Sequence, residues 1–454
     1  MIMKSINPAT GELLKEYPGH SAEEADRIIS DVNAAWSFWR ETTFSERSRL
    51  MRGAAAELRA NTEYYARMMT LEMGKIIRES RAEVEKCAWV CDYYAEHAES
   101  ILKDEMIESD ASKSFVSFEP LGVVLAVMPW NFPLWQVFRF AAPALMAGNA
   151  AVLKHASNVP GSALAIEEVF QKAGFPENIF RTLMIPSGMV ERVIQNRHIK
   201  AVTLTGSEYA GSQVASAAGK EIKKAVLELG GSDPFIVLDD ADIPACVAVS
   251  AKARMINAGQ SCIAAKRFIV VESRVKEFEE QQTAIMKSMK TGDPMLEAIH
   301  VGPLARPDLL DELDEQVQKS VKLGALLLTG GKKIPGKGSF YEPTVLTNVK
   351  KGMPVYEEET FGPVSAIIPV KNAEEAISVA NDSELGLGAS LWSRDLKKAE
   401  SVARRIESGS VFINGMTKSD PRLPFGGIKK SGFGRELSHY GIKEFVNIKT
   451  IWIA

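Results

Sequence analysis

The feature that most restricts this chain is a set of short, wholly apolar segments separated by helical patterns. Residues 121–128 read Leu-Gly-Val-Val-Leu-Ala-Val-Met, and similar runs occupy 150–154, 201–205 and 224–228. A strand with one wet face alternates; a strand without alternation is buried on both faces. Helical periodicity fills the intervals at 135–147, 160–173, 188–197 and 208–219. Strands and helices in alternation predict a parallel, doubly wound sheet with helices on both sides. A second series follows Cys262, with strands at 267–271, 364–369, 388–392 and 409–413 and helices at 274–289, 373–381 and 395–406. The expected fold class is therefore α/β, with two doubly wound units in line. Ligands meet such sheets beyond the carboxyl ends of the strands.

The remaining pieces are simpler. Ser21 is placed to cap an amphipathic helix, and helical patterns continue over 45–60, 61–72 and 78–100. Residues 113–119 alternate like a half-buried strand, and 442–453 is strand-rich; paired, they predict a small β arm suited to self-association. A net charge of −4 over 454 residues offers no basic surface to nucleic acid. No segment approaches the roughly 18 apolar residues of a membrane helix, and the start has no signal-peptide core. Four cysteines are too few for a disulfide scaffold, so a cytoplasmic location with free thiols is expected. Cys87 and Cys91 read as helix packing, and no metal site is expected.

Chemistry concentrates where the two units join. Glu228-Leu229-Gly230-Gly231 ends the fourth run, and Gly259-Gln260-Ser261-Cys262 follows a short strand and a helical stretch. A thiol attacks as thiolate, and a carboxylate within reach can take its proton or that of a water. Glycines beside both let a substrate approach the backbone. Pro129-Trp130-Asn131-Phe132-Pro133 ends the first run, and Lys154-His155-Ala156-Ser157 ends the second. Thr205-Gly206-Ser207 joins the third run to a helix, where backbone N–H groups and the helix start suit a pyrophosphate. Glu358-Glu359-Thr360-Phe361-Gly362-Pro363 and a glycine-dense loop from Pro424 to Glu436 complete the set. Each alone has a bland reading: a buried thiol, a turn asparagine, a solvated lysine, an acidic turn.

Together and in this order, the motifs resemble the aldehyde dehydrogenase superfamily over nearly the whole chain, in wording closest to short bacterial succinate-semialdehyde dehydrogenases. The resemblance implies two Rossmann-like domains and a β oligomerisation arm. Residues 1–108 and 122–228 are then the cofactor-binding domain and 229–408 the catalytic domain. Residues 109–121 and 436–454 form the arm, and 409–435 bridge towards the substrate funnel. It implies Cys262 as nucleophile, Glu228 as general base and Asn131 as oxyanion donor. Donors placed where charge develops are worth about 3–4 kcal/mol. Cofactor contacts are implied for Pro129, Trp130, Lys154, Thr205, Gly206, Ser207, Leu229, Gly230, Glu359 and Phe361. Family members restricted to NAD usually have a glutamate where this chain has Ser157. Serine leaves room for a 2′-phosphate, so NADP is expected, with NAD accepted less well.

The resemblance also places substrate contacts. Arg139 matches the arginine that grips the carboxylate of succinate semialdehyde, Gln136 shares its helix face, and Ser419 is a third contact. A second arginine of some relatives is replaced here by Ile256, with Arg254 two residues earlier. The expected reaction is NADP-dependent oxidation of succinate semialdehyde to succinate through a cysteine thiohemiacetal and thioester, in a homodimer or homotetramer. The alternatives are another semialdehyde or aliphatic aldehyde, glutarate semialdehyde foremost; an acylating dehydrogenase that releases its thioester to coenzyme A; and a cofactor-independent thiol esterase. A non-catalytic protein that kept the fold leaves the thiol, base and oxyanion donor unexplained.

Overall fold

Apolar runs without alternation become the central strands of two sheets. The computed structural model describes residues 2–454. Its first sheet has six strands among the described residues, in the order Gly432–Phe433, Lys224–Glu228, Ile199–Thr205, Val123–Met128, Ala150–His155 and Phe180–Thr182. All neighbours are parallel except Gly432–Phe433, which runs antiparallel to Lys224–Glu228. Val123–Met128 is flanked on one side by the next strand in the chain and on the other by a later one. That is a topological switch point, where an open sheet leaves a crevice beyond its strand ends. Helices cover both faces, among them the wholly buried Trp135–Met146.

The second sheet has seven strands, ordered Leu326–Thr329, Thr344–Thr347, Val364–Val370, Arg267–Val271, Pro234–Val237, Gly388–Trp392 and Ser410–Ile413. Only the Leu326–Thr329 edge is antiparallel. Pro234–Val237 is this sheet's own switch point, so the two crevices flank the short connection from Glu228 to Pro234. Ser410–Ile413 pairs in register with Gly388–Leu391, so the second sheet extends past residue 408, the boundary expected from the sequence.

The arm forms by local pairing of distant segments. Lys113–Pro120 pairs antiparallel with Val446–Ile453 over eight positions, and Glu105–Met106 adds a short third strand. Val446–Ile453 is the open edge, with Ile448, Trp452 and Ile453 exposed. At the N-terminus Ser21 makes a full capping box with Glu24, which satisfies two orphan N–H groups of helix Ala22–Trp39. The pattern at 188–197 resolves into a 3-10 turn, Ser187–Met189, and a short helix, Val190–Gln195.

Candidate active site

The loop that carries Cys262 is held in an uncommon backbone shape. Asn257, Ala258 and Gly259 have φ of 51°, 54° and 79° in succession. Left-handed backbone costs a β-carbon residue about 1–2 kcal/mol, so the surroundings must fix it. They do so from three sides. The Asn257 N–H donates to Glu79 Oε2 at 2.8 Å, and its Nδ2 donates to the Asn131 carbonyl at 2.7 Å. Gly259 packs so closely on Gly362 that a β-carbon there would lie 2.1 Å from the Gly362 oxygen. On the far side Lys266 Nζ donates to the carbonyls of Ser261 and Cys262 at 2.8 and 2.7 Å and pairs with Glu359 at 3.4 Å. Sequence reasoning passed over Lys266, because a lysine at a strand start reads as a solvated charge.

Asn131 sits just past the switch-point strand. Its Nδ2 donates to the Gln260 carbonyl at 3.1 Å, two residues before the thiol, while its Oδ1 is buried without a partner. Gln136 Oε1 is equally unpartnered. Buried polar atoms normally find partners, and their clustering here marks a place where a ligand completes the bonding. Asn131, Gln136 and Cys262 share the wall of one cavity of about 610 Å³. Trp130 and Phe361 meet edge-to-face across it, with centroids 5.9 Å apart. Leu229, Gly230 and Glu359 line it as well; Glu359 Oε1 accepts from the Gly231 N–H at 3.1 Å.

A second cavity of about 570 Å³ shares Pro129, Thr205 and Gly206 with the first, so the two form one cleft. Lys154 lines it, with its Nζ 3.2 Å from Ser187 Oγ and no carboxylate partner among the described residues. Burial alone lowers its pKa. Ser207 caps helix Glu208–Lys220, whose N-terminus opens at the junction of the cavities. A buried cation without a counter-charge beside a helix start fits a phosphate-bearing dinucleotide, and the aromatic pair at the other end fits its flat ring. Ser157 follows the strand of Lys154 and is exposed, outside the residues that wall this cavity.

Glu228 ends its strand opposite Gly432, and the Leu229 N–H donates to the Ser431 carbonyl. Its carboxyl is buried, without hydrogen-bond partners, and turned towards Gly426, where a β-carbon would lie 2.6 Å from Glu228 Oε1. Burial first, and the Glu436 carboxylate second, push its pKa well above the usual carboxylate range; Arg139 and Arg435 oppose them. Glu436 is raised too, by burial, but its direct ion pair with Arg139 gives it the stronger claim to the negative charge. Glu228 therefore carries the proton of the pair. Burial pushes the Cys262 thiol up to about 12, against the pull of Lys266 and Arg139, so the resting sulfur is a thiol.

Two substrate contacts differ from expectation. Arg139 does not present a free guanidinium: it is fully buried, ion-paired with Glu436, bonded to Thr205 Oγ1 at 3.2 Å and stacked over Phe425. A buried guanidinium draws in the nearest carboxylate because an unpaired charge there is costly. Ser419 is buried and accepts a hydrogen bond from Lys86 Nζ at 2.7 Å, outside the 610 Å³ cavity wall. Arg254 is structural, donating to the Gly259 carbonyl at 2.6 Å.

A paired-crevice α/β fold with a cysteine, an asparagine amide and a dinucleotide cleft at its join defines an aldehyde dehydrogenase. Residues 1–451 match the aldehyde dehydrogenase family, and the chain belongs to it. Among its relatives, a probable NADP-dependent succinate-semialdehyde dehydrogenase of Synechocystis is 53% identical over 454 residues, covering all of both chains. Succinate-semialdehyde dehydrogenase [NADP(+)] 1 of Mycobacterium tuberculosis is 48% identical, again over all of both chains. The crystal structure of succinic semialdehyde dehydrogenase from Streptococcus pyogenes in complex with NADP+ is 40% identical, with a TM-score of 0.97 over 99% of each chain.

Proposed function

We propose that this protein oxidises succinate semialdehyde to succinate with NADP+. The observation that carries the reading is the single cleft in which Cys262 and Asn131 adjoin a compartment lined by the unpaired Lys154. Two features support the substrate and cofactor assignments. The charge of Arg139 bears on the Cys262 thiol, and no acidic side chain among the described residues pairs with Lys154. The relatives' names point the same way.

Cys262 adds to the aldehyde carbon, giving up its proton to Glu228 directly or through water once Glu228 is itself deprotonated. The Asn131 amide exchanges its bond to the Gln260 carbonyl for one to the developing oxyanion. The dinucleotide, when bound, supplies the hydride acceptor that turns thiohemiacetal into thioester. Lys154 and the Thr205-Gly206-Ser207 turn hold its phosphates, Ser157 leaves space for a 2′-phosphate, and Trp130, Glu359 and Phe361 frame the ring end. Glu228 then takes a proton from water, which cleaves the thioester, and the acid leaves. The first sheet carries the cofactor and the second the nucleophile. The Val446–Ile453 edge joins copies into a homo-oligomer that works in the cytoplasm.

The test is initial rates with three- to six-carbon semialdehydes and neutral aldehydes, each with NADP and NAD. The reading predicts steady NADPH formation without coenzyme A, fastest with succinate semialdehyde, and its loss in Cys262→Ala. A requirement for coenzyme A, or oxidation that survives Cys262→Ala, contradicts it.

A further inference from the structure

We propose that Glu79 is a positioning residue: with Glu83, from one turn of helix Ile77–Ile101, it fixes the distance between Asn131 and Cys262. This rests on the reading above that Cys262 attacks an aldehyde and that the Asn131 amide receives the oxyanion. It gives that reaction a residue that acts only through the loops it holds.

The two reacting loops belong to different sheets, so their spacing has to be set by contacts between them. A ring of amides joins them. Asn131 Nδ2 donates to the Gln260 carbonyl at 3.1 Å. Asn257 Nδ2 donates to that same carbonyl at 3.2 Å and to the Asn131 carbonyl at 2.7 Å. The helix ties this ring to the body of the protein. Glu79 and Glu83 are four residues apart, so they share a helix face at about 6 Å along the axis. Glu79 Oε2 accepts from the Asn257 N–H at 2.8 Å, in the turn that leads to the thiol. Glu83 Oε1 accepts from the Leu134 and Trp135 N–H groups, each at 2.9 Å, in the turn that follows Asn131. Glu83 is held in its turn by Lys75, whose ammonium lies 3.8 Å from the centre of the Phe132 ring.

The Asn257 N–H depends on Glu79. In an unbroken helix it would donate to the carbonyl four residues back, that of Ala253. The chain turns left-handed at Asn257 and Ala258, and the Ala253 carbonyl accepts from the Ala265 N–H at 3.2 Å instead. Without the Glu79 carboxylate a buried N–H is left unpartnered. Two residues with β-carbons also lose the contact that offsets their strained backbone. The turn then relaxes, and the Gln260 carbonyl and the thiol shift against an Asn131 that Glu83 still holds.

The experiment is a double-mutant cycle on kcat/KM for succinate semialdehyde at saturating NADP. Glu79→Ala, Glu79→Gln and Glu79→Asp are each made in wild type and in Asn131→Ala. The proposal predicts that Glu79→Ala lowers kcat/KM about thirtyfold in wild type and less than about threefold further in Asn131→Ala, where no amide remains to misalign. Glu79→Gln keeps an acceptor oxygen and returns to within about threefold of wild type. Glu79→Asp, withdrawn by one methylene, falls between, and carries the cycle should the alanine variant not fold. NADPH affinity by fluorescence titration stays within about twofold, since Lys154 and the Thr205 turn are untouched. A loss of equal size in both backgrounds, no loss in wild type, a matching loss of NADPH affinity, or Glu79→Gln as impaired as Glu79→Ala overturns the role of Glu79. Asn131→Ala with wild-type kcat/KM fails the reading of Asn131 itself and the proposal with it, and that arm needs no Glu79 variant.

Discussion

The resting thiol is protonated, because burial outweighs the pull of Lys266 and Arg139 and sets its pKa at about 12. Its thiolate fraction then rises tenfold per pH unit. Alkylation of Cys262 in the enzyme without cofactor is expected to climb steadily with pH and not to level off below about pH 9; a plateau near neutrality contradicts this environment. The Glu228–Glu436 pair makes a second statement about pH. A raised carboxyl is protonated at acidic pH and becomes a base as pH rises through its pKa, so turnover increases along that limb. Glu436→Gln removes the like charge and frees Arg139 to favour ionised Glu228. The limb should move to lower pH in a pH–rate profile, and a move to higher pH contradicts the pairing. At the other end of the cleft, Ser157→Glu should cut kcat/KM with NADP by about thirtyfold or more and affect NAD much less.

At the scale of elements, two connections set the reacting groups: the left-handed turn before Cys262 and the antiparallel return of Gly432–Phe433 beside Glu228. Gly432 has φ of 113°, and a β-carbon there would lie 2.0 Å from the Leu227 oxygen. Gly432→Ala should cost about 2–4 kcal/mol in urea unfolding and displace Glu228, lowering turnover more than NADP affinity. Wild-type stability in that variant contradicts the packing. The strands were legible where burial on both faces erased alternation, as in Val123–Met128 and Ala150–His155. Phe180–Thr182 escaped because three residues carry no period, and Leu326–Thr329 because an edge strand with exposed leucines looks like a loop. Helix Pro307–Lys322 carries an apolar stripe, Leu310, Leu313, Val317 and Val321, with the period that marks a helix. In the site, the motifs drew the eye to Cys262, Asn131 and Glu228. The charges around them, Lys266 and Glu436, stayed hidden, since nothing in a sequence tells a buried lysine or glutamate from a solvated one.

The whole molecule places a nucleophile from one doubly wound unit over a dinucleotide cleft in the other, and carries a separate three-stranded β arm. That arm leaves Ile448 and Trp452 exposed on a strand edge, a surface that a second copy would bury. Ile448→Lys with Trp452→Lys should convert the proposed homo-oligomer to single chains in sedimentation; an unchanged sedimentation coefficient contradicts that role for the edge. On the proposed mechanism, one sulfur carries the oxidised substrate until Glu228 lets water in. The most direct measurement is the intact mass of Glu228→Gln after brief mixing with succinate semialdehyde and NADP. The account predicts an NADPH burst of about one per site, slower to form than in wild type because Glu228 also takes the thiol's proton, and a gain of about 100 Da, the succinyl group, that persists on the peptide containing Cys262. Full steady-state turnover in that variant with no adduct on Cys262 would contradict it.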